Sequence, residues 1–128
     1  MERPSALKSE LVQEFVGNAH GNLDRVKELL AQEPALVNAC WDWGGGDWET
    51  GLGAAAHTGR RDIAEHLLAN GARFDLFTAA MLGQLDLVKA ILSAQPRLRH
   101  TPGAHGIPLL QHAKIGNAQN VVEYLEAL

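Results

Sequence analysis

An internal repeat is the feature of this sequence that most restricts its fold. Four segments align on a glycine that lies between two helical patterns; they are GNAHGNLDRVKELL, AAAHTGRRDIAEHLL, TAAMLGQLDLVKAIL and QHAKIGNAQNVVEYL, on Gly21, Gly59, Gly83 and Gly116. Five residues after each glycine comes valine or alanine, and large, mainly apolar residues follow at the eighth and ninth positions. This spacing predicts a second helix with one apolar face in each unit. Because a helix pair cannot cover that face alone, the units are expected to stack on one another.

Two of these segments belong to a longer motif. Residues 50–59, TGLGAAAHTG, and 106–116, GIPLLQHAKIG, resemble the ankyrin pattern TPLHLAAxxG, and residues 70–72 match the NGA that closes an ankyrin unit. From about Leu11 onward the chain resembles ankyrin repeats, and more closely the small stand-alone bacterial ankyrin proteins. The resemblance implies an all-α ankyrin solenoid of about four helix-turn-helix units in one domain, residues 1–128. The expected units are residues 5–40, 41–73, 74–104 and 105–128.

The spacing of the turn glycines departs from that pattern. The intervals are 38, 24 and 33 residues, whereas an ankyrin unit has about 33. The first interval holds five extra residues, most simply GGGDW at 44–48, and the second lacks nine. We therefore expect an enlarged finger loop, residues 41–50, beside a unit without a finger. The gap predicts a shallow bay, closed on its far side by a second finger, residues 100–106.

Composition narrows the possible partners and compartment. The net charge of −4 and the isoelectric point near 5.8 argue against a nucleic-acid partner. The lone Cys40 cannot form an internal disulfide, which favours a reducing compartment. Residues 1–10 lack the apolar core of a signal peptide, and no run approaches the roughly 20 apolar residues of a membrane span. The sequence therefore predicts a cytoplasmic protein with no membrane partner.

The enlarged finger concentrates aromatic and acidic side chains. It contains all the tryptophans of the chain, Trp41, Trp43 and Trp48, and three carboxylates, Asp42, Asp47 and Glu49. Tryptophan on a projecting loop suits an interface anchor or the wall of a ligand site, although the indoles can also pack on their own loop. Two carboxylates can act as acid and base when one is desolvated. The structural alternatives are that Asp47 hydrogen-bonds the glycine turn and that Glu49 lies beside the helix start at Thr50.

The histidines are interpreted by their place in the repeat. The ankyrin resemblance implies that the two residues before a turn glycine face the concave binding side, as does Glu49; those we select are His20, His57 and Met81. His57, behind the finger and near Glu49, is the best candidate for a general base. His105 lies at the tip of the second finger, and His112 takes the place of a packing alanine.

No metal site and no cofactor are predicted. The sequence contains neither HxxxH nor HExxH. Histidines on successive stacked units are expected to start about 10 Å apart, the usual spacing of packed helices, which is too far for a shared zinc ion.

Two functions of different classes are left open, and the sequence favours the first. The first is a binding module that presents its concave surface and tryptophan finger to a protein or peptide. Its candidate contact residues are Trp41, Trp43, Trp48, Asp42, Asp47, Glu49, His20, His57, Met81, His105 and His112. The second is a small-molecule-binding protein or an unusual enzyme. It would use His57, Asp47 and Glu49 as acid and base in the bay between residues 41–50 and the His105 finger. A homodimer through the apolar C-terminal end is a further possible assembly.

Overall fold

The computed structural model describes residues 2–128, and within them the chain is mainly helical. The described part contains eight α-helices: α1 (Ser9–Asn18), α2 (Leu23–Gln32), α3 (Gly51–His57), α4 (Arg61–Ala69), α5 (Leu76–Leu82), α6 (Leu85–Ala94), α7 (Leu109–Ile115) and α8 (Gln119–Glu126). Short 3₁₀ segments at Pro34–Asn38, Pro96–Arg99 and Ala104–Gly106 lie in the connections. The expectation of an all-α protein is confirmed in this broad form. Among the described residues, no helix has the length and apolar character needed to cross a membrane.

The helices form four consecutive pairs, each turning near one of the aligned glycines. The first helices of the pairs, α1, α3, α5 and α7, pack against one another in chain order. Each second helix buries the small apolar residue that the repeat predicts five positions after its glycine: Val26, Ala64, Val88 and Val121. Buried alanines in the first helices, including Ala55 and Ala80, allow these helices to pack closely.

The turn glycines are needed for different physical reasons. Gly83 adopts a left-handed backbone with φ of 75°, which a side chain would strain. Gly116 has an ordinary φ of −82°. A Cβ atom at Gly116 would lie 2.0 Å from the carbonyl oxygen of Met81, so α7 can approach α5 only if this residue has no side chain. The glycine of the repeat thus serves turn geometry in one unit and close packing in another.

The enlarged finger is an antiparallel hairpin of β1 (Cys40–Asp42) and β2 (Trp48–Thr50), which pairs Trp41 with Glu49. Its turn consists of three glycines with positive φ. Asp42, rather than Asp47, holds this turn, because its carboxylate accepts hydrogen bonds from the backbone N–H groups of Gly44 and Gly46 at 2.8 and 3.0 Å. The connection between α4 and α5 is only residues 70–75 and contains no strand, as the glycine spacing predicts.

The hairpin is fixed to the first of two apolar clusters. Phe15, Leu52 and Leu67 belong to that cluster, and the ring of Phe15 lies directly over Gly51, where a Cβ atom would come within 2.8 Å of it. Thr50 caps α3 by accepting a hydrogen bond from the N–H of Gly53 at 3.0 Å. The end of β2 and the start of α3 are therefore held rigidly, which fixes the position of Glu49 between them.

Candidate functional site

Glu49 is the centre of the candidate site. Successive side chains of β2 point to opposite faces, so Trp48 lies 60% exposed on the outside while the Glu49 side chain faces inward and is 0% exposed. Glu49 thus lies beneath the surface, on the side of the hairpin that faces His20 and His57. Because an ionised carboxylate is costly to bury without partners, its surroundings require an explanation.

Three imidazoles surround this carboxylate. His20 follows α1, His57 ends α3, and His105 lies in the 3₁₀ segment before α7. Their Nε2 atoms lie 3.1 Å from Glu49 Oε1, 2.9 Å from Oε2 and 3.1 Å from Oε2, respectively. We call these four residues the Glu49 cluster.

The expectation that histidines of different units lie too far apart to meet is wrong for this cluster. The ring centroids lie only 5.0 to 6.0 Å apart. A spacing of about 10 Å applies to equivalent positions on stacked helices. The three histidines instead occupy a turn, a helix end and a finger, from which their side chains converge.

The second ring nitrogen of two of these histidines is also engaged. His20 Nδ1 lies 3.0 Å from the carbonyl oxygen of Val16 and 3.1 Å from that of Gly17. His105 Nδ1 lies 2.7 Å from Asp47 Oδ2. Since a carbonyl can only accept a hydrogen bond and an ionised carboxylate does the same, both rings carry their proton on Nδ1. Their Nε2 atoms, directed at Glu49, are then free to carry either a lone pair or a second proton.

Asp47 joins the two fingers. Besides the ring contact, its Oδ1 accepts a hydrogen bond from the backbone N–H of His105 at 2.7 Å. His105 has a left-handed backbone with φ of 61°, which is uncommon outside glycine. Such strain persists where the surroundings enforce it, often at functional sites. The sequence-based role for Asp47 within its own glycine turn is thus replaced by a contact with the opposite finger.

The two oxygens of Glu49 have different surroundings. Oε1 accepts a hydrogen bond from the indole N–H of Trp43 at 2.9 Å. Oε2 is buried and has no hydrogen-bond partner, and the same is true of His57 Nε2. These two atoms lie at hydrogen-bonding distance, but the direction of the ring N–H misses the oxygen. The site thus holds two buried polar atoms that face a common space without satisfying each other.

The cluster shifts the titration of its members in opposite directions. Burial by itself raises the pKa of Glu49, but the contacts with His20, His57 and Trp43 outweigh burial and lower the pKa well below its usual range. The contact with Glu49 raises the pKa of His20. The hydrogen bond from the backbone N–H of His105 lowers the pKa of Asp47. Glu49 and Asp47 are therefore anionic near neutral pH, and His20 retains a proton to higher pH than a free histidine.

The remaining predicted site residues lie around this cluster or away from it. Trp41 packs against the first apolar cluster, whereas Trp43 is partly exposed above the site. Met81 and His112 are buried, so neither presents a side chain to a partner. His112 has its Nδ1 2.9 Å from the carbonyl oxygen of Pro108 and its ring against Phe77, and burial lowers its pKa. His112 therefore packs inside the protein, as its place in the repeat suggested.

A cavity of about 360 Å³ lies between the two fingers, where the bay was expected. Its lining combines aromatic, acidic and small residues: Cys40, Gly46, Asp47, Trp48, Glu49, Thr50, Gly53, Asp75, Phe77, Pro102, Gly103 and Ala104. Another cavity, of about 380 Å³, lies at the C-terminal end beside Arg97, Arg99 and Leu128, and none of its lining residues belongs to the cluster. Of these two cavities, only the first is lined by residues of the candidate site, Asp47 and Glu49. We therefore identify it with the predicted bay.

The sequence indicated all four members of the cluster and placed His57 near Glu49, but it did not predict that three imidazoles meet at this carboxylate. One signal was present. His20 and His105 each precede a glycine directly, and His57 is two residues before one, so all three lie at turns or loop tips. Turns of stacked helix pairs can meet on one side of the stack, which makes side chains there natural neighbours.

Comparison with known proteins does not assign this site. No protein-family model matches the chain, and no curated protein is significantly similar to it.

Proposed function

We propose that this protein binds a small polar molecule in the recess between its two fingers, with the Glu49 cluster in contact with that molecule. The scaffold in this proposal is an ankyrin-like stack, supported by the repeat motifs and by the four helix pairs. The location is the one that the sequence suggested for a small-molecule-binding protein or enzyme.

The burial of the recognition groups is the observation that carries the proposal. Protein partners are usually bound through exposed anchors on a broad surface, whereas small-ligand sites are concave and contain a few convergent polar groups. The side chains of Glu49 and His57 are 0% and 13% exposed. Those of His20 and His105 are 29% and 31% exposed. A small molecule can reach the cluster past these two rings, while a flat partner surface cannot reach Glu49.

The cluster is suited to proton transfer. A neutral imidazole can take a proton from a bound molecule, and the adjacent carboxylate stabilises the imidazolium that results. His57 is the most enclosed of the three rings and contacts Glu49 at 2.9 Å, so it is the base in this proposal. Trp43 fixes Glu49 through its indole N–H and lies edge-on to His20, with ring centroids 6.2 Å apart.

A thermal-shift screen of the wild-type protein against a metabolite collection tests the proposal. At a concentration 100 times its Kd, a ligand adds about 2.7 kcal/mol of stability, which raises Tm by several degrees. We expect such a shift in wild type and in a His100→Ala control, because His100 is exposed and outside the cluster. Glu49→Gln should abolish it. No shift from any compound, or an equal shift in Glu49→Gln, would contradict the proposal.

A peptide or protein contact is a second candidate function, favoured by the exposure of Trp48. An indole that is 60% exposed on a rigid hairpin resembles an interface anchor. This function predicts that Trp48→Ala abolishes binding of a captured partner while Glu49→Gln preserves it. The small-molecule proposal predicts the reverse dependence for a metabolite.

A further inference from the structure

We infer that the Glu49 cluster is the binding site of one divalent transition-metal ion, for which Zn²⁺ is a well-suited occupant. The ligands are Nε2 of His20, His57 and His105 together with the carboxylate of Glu49. This inference deepens the proposed function, on whose location it rests, by naming the group through which a small molecule would be held. In the ion-bound site His57 is a ligand and not the base.

The ligand atoms already lie close enough to share an ion after a small adjustment. One ligand atom from each of the four residues lies within 4.8 Å of the others. With zinc bonds of about 2.0–2.1 Å, ligand atoms are about 3.4 Å apart in a tetrahedron and at most about 4.2 Å apart across any ion. The widest pair must therefore close by up to about 1.4 Å to form a tetrahedral site, a movement that side-chain rotation can supply. Three imidazoles and one carboxylate form a donor set that suits zinc and its divalent neighbours.

The outer contacts of the rings have the pattern found around metal-binding histidines. Such a histidine donates its second N–H to a carbonyl or carboxylate, which fixes the tautomer and the ring orientation. His20 does so with the carbonyl of Val16 at 3.0 Å, and His105 does so with Asp47 at 2.7 Å. In both rings Nε2 is the atom left to bind an ion.

The unpartnered atoms supply an independent observation. Glu49 Oε2 and His57 Nε2 are both buried and lack hydrogen-bond partners, although they are 2.9 Å apart. A ring lone pair points in the direction in which an N–H would point, so a ring whose N–H misses the oxygen directs its lone pair to a point beside it. An ion at that point would satisfy both atoms. The indole of Trp43 occupies Oε1 and leaves Oε2 as the free ligand atom.

The burial of the carboxylate also favours an ion. The Glu49 side chain is 0% exposed, and the centroids of the three rings that face it lie 5.0 to 6.0 Å apart. A buried carboxylate requires a partner of opposite charge. One divalent cation at the centre of the cluster supplies that charge and interacts favourably with all four ligands.

The ion would be accessible from solvent on the side of His20 and His105. The rings of these two residues are partly exposed, whereas the Glu49 side chain is fully buried and, of the four ligands, Glu49 alone borders the cavity between the fingers. An ion that expands its coordination beyond these four ligands can polarise the carbonyl or phosphoryl oxygen of a bound molecule, or lower the pKa of a bound water. The expected ligand class is accordingly a small molecule with an oxygen donor.

Metal titration of the full chain tests the inference. After treatment with EDTA and its removal, Zn²⁺ is added in a calorimeter at pH 7.5, and Co²⁺ is added in parallel to follow the visible absorption of the bound ion. We expect one ion per chain with submicromolar affinity for Zn²⁺. His57→Ala and Glu49→Ala should each weaken binding at least about 100-fold, since each removes a ligand, whereas loss of an outer contact typically costs about 10–100-fold. The exposed His100→Ala variant should bind as wild type does.

A second variant keeps the inference testable if ligand variants fail to fold. Asp47→Asn preserves all four ligands and alters only the contacts of Asp47 with the Nδ1 and the backbone N–H of His105, and circular dichroism verifies its fold. It should bind Zn²⁺ about 10–100-fold more weakly. Absence of Zn²⁺ and Co²⁺ binding, unchanged affinity in Glu49→Ala and His57→Ala, or an equal loss in His100→Ala would each overturn the inference.

The outcomes also separate this inference from the proposed function. One-to-one metal binding without any metabolite response supports the ion and counts against the small-molecule site. A metabolite response that is undiminished in EDTA and depends on Glu49 supports the small-molecule site and overturns the ion.

Discussion

The connections before α3 and before α5 perform the same structural task with different consequences. Both end in a side chain that caps the following helix: Thr50 accepts a hydrogen bond from Gly53, and Asp75 accepts one from Thr78 at 2.8 Å. The residue before the cap differs. In the first connection it is Glu49, 0% exposed among three imidazoles, and in the second it is Phe74, 40% exposed. A helix start of ordinary geometry thus becomes a candidate site only where a hairpin and neighbouring loops enclose it.

Truncation of these two residues should give the largest contrast. Glu49→Ala removes the only carboxylate within the cluster and leaves the imidazoles without their shared partner, so we expect a loss of about 3 kcal/mol in the free energy of unfolding. Phe74→Ala should cost about 1 kcal/mol or less, because the ring is already partly solvated. Urea unfolding at pH 6 in EDTA measures both values. Equal losses would mean that burial of Glu49 has no special energetic importance.

The pH dependence of the metal-free protein is expected to show the next largest effect. Since folding lowers the pKa of Glu49, its contribution is present above the unfolded value of about 4.3 and is lost as pH falls through the folded value. Since folding raises the pKa of His20, its contribution is full below about 6.5 and is lost as pH rises through the folded value. These two contributions are therefore both present between about pH 5 and 6.

Wild-type Tm measured in EDTA should accordingly decrease, relative to Glu49→Gln, on both sides of that interval. His112, whose lowered pKa acts in the opposite sense to that of His20, is unchanged in the variant. The difference between the two profiles thus isolates the cluster. Parallel profiles would show that the titration of the cluster is not linked to folding.

The caps should be equivalent in stability but not in their effect on the site. Thr50→Ala and Asp75→Ala each remove one capping hydrogen bond and should each cost about 1 kcal/mol. Only Thr50 adjoins Glu49, so only Thr50→Ala should change the tryptophan emission that reports on Trp43. Urea unfolding followed by circular dichroism and by fluorescence distinguishes the two effects. An equal change of tryptophan emission in Asp75→Ala would show that the two caps do not differ in their effect on the site.

The contact between the fingers should give the smallest change in stability. Asp47 and His105 are each about 30% exposed, and exposed pairs contribute about 0.2–1 kcal/mol. Asp47→Asn should therefore lower Tm only slightly. It should also accelerate hydrogen exchange of the backbone amide of His105, because this N–H donates a hydrogen bond to the Asp47 carboxylate. Asp86→Asn, on the exposed side of α6, is the matched control. Unchanged exchange in Asp47→Asn would show that the fingers close without this contact.

Local spacing was sufficient to predict the helix pairs, their buried positions and the enlarged finger. Val26, Ala64, Val88 and Val121 are buried because a helix places residues at fixed angles, and the length of the connection before α3 follows from the interval between Gly21 and Gly59. This information lies within each unit and its neighbour. Which of Asp42 and Asp47 holds the glycine turn is also a local matter, but the sequence does not decide it, because either carboxylate can reach the turn.

The convergence of the Glu49 cluster required information that local patterns do not contain. The direction of the His105 ring depends on its left-handed backbone and on Asp47, which lies in another unit. The burial of Glu49 depends on the position of the whole hairpin against Phe15 and α3. Periodicity identifies which face of a helix is buried, but it does not determine where a loop tip meets another loop.

The distance between His20 and His105 along the chain has a consequence for how the molecule unfolds. In a stack of helix pairs, contacts are mostly between neighbours, so the ends can loosen one pair at a time. Here a ring beside the first pair and a ring that precedes the last pair lie 6.0 Å apart. Releasing either end pair therefore disturbs a cluster that includes the second pair as well. The stack should lose its end-to-end independence and unfold as one cooperative unit, more strongly so when the cluster is occupied.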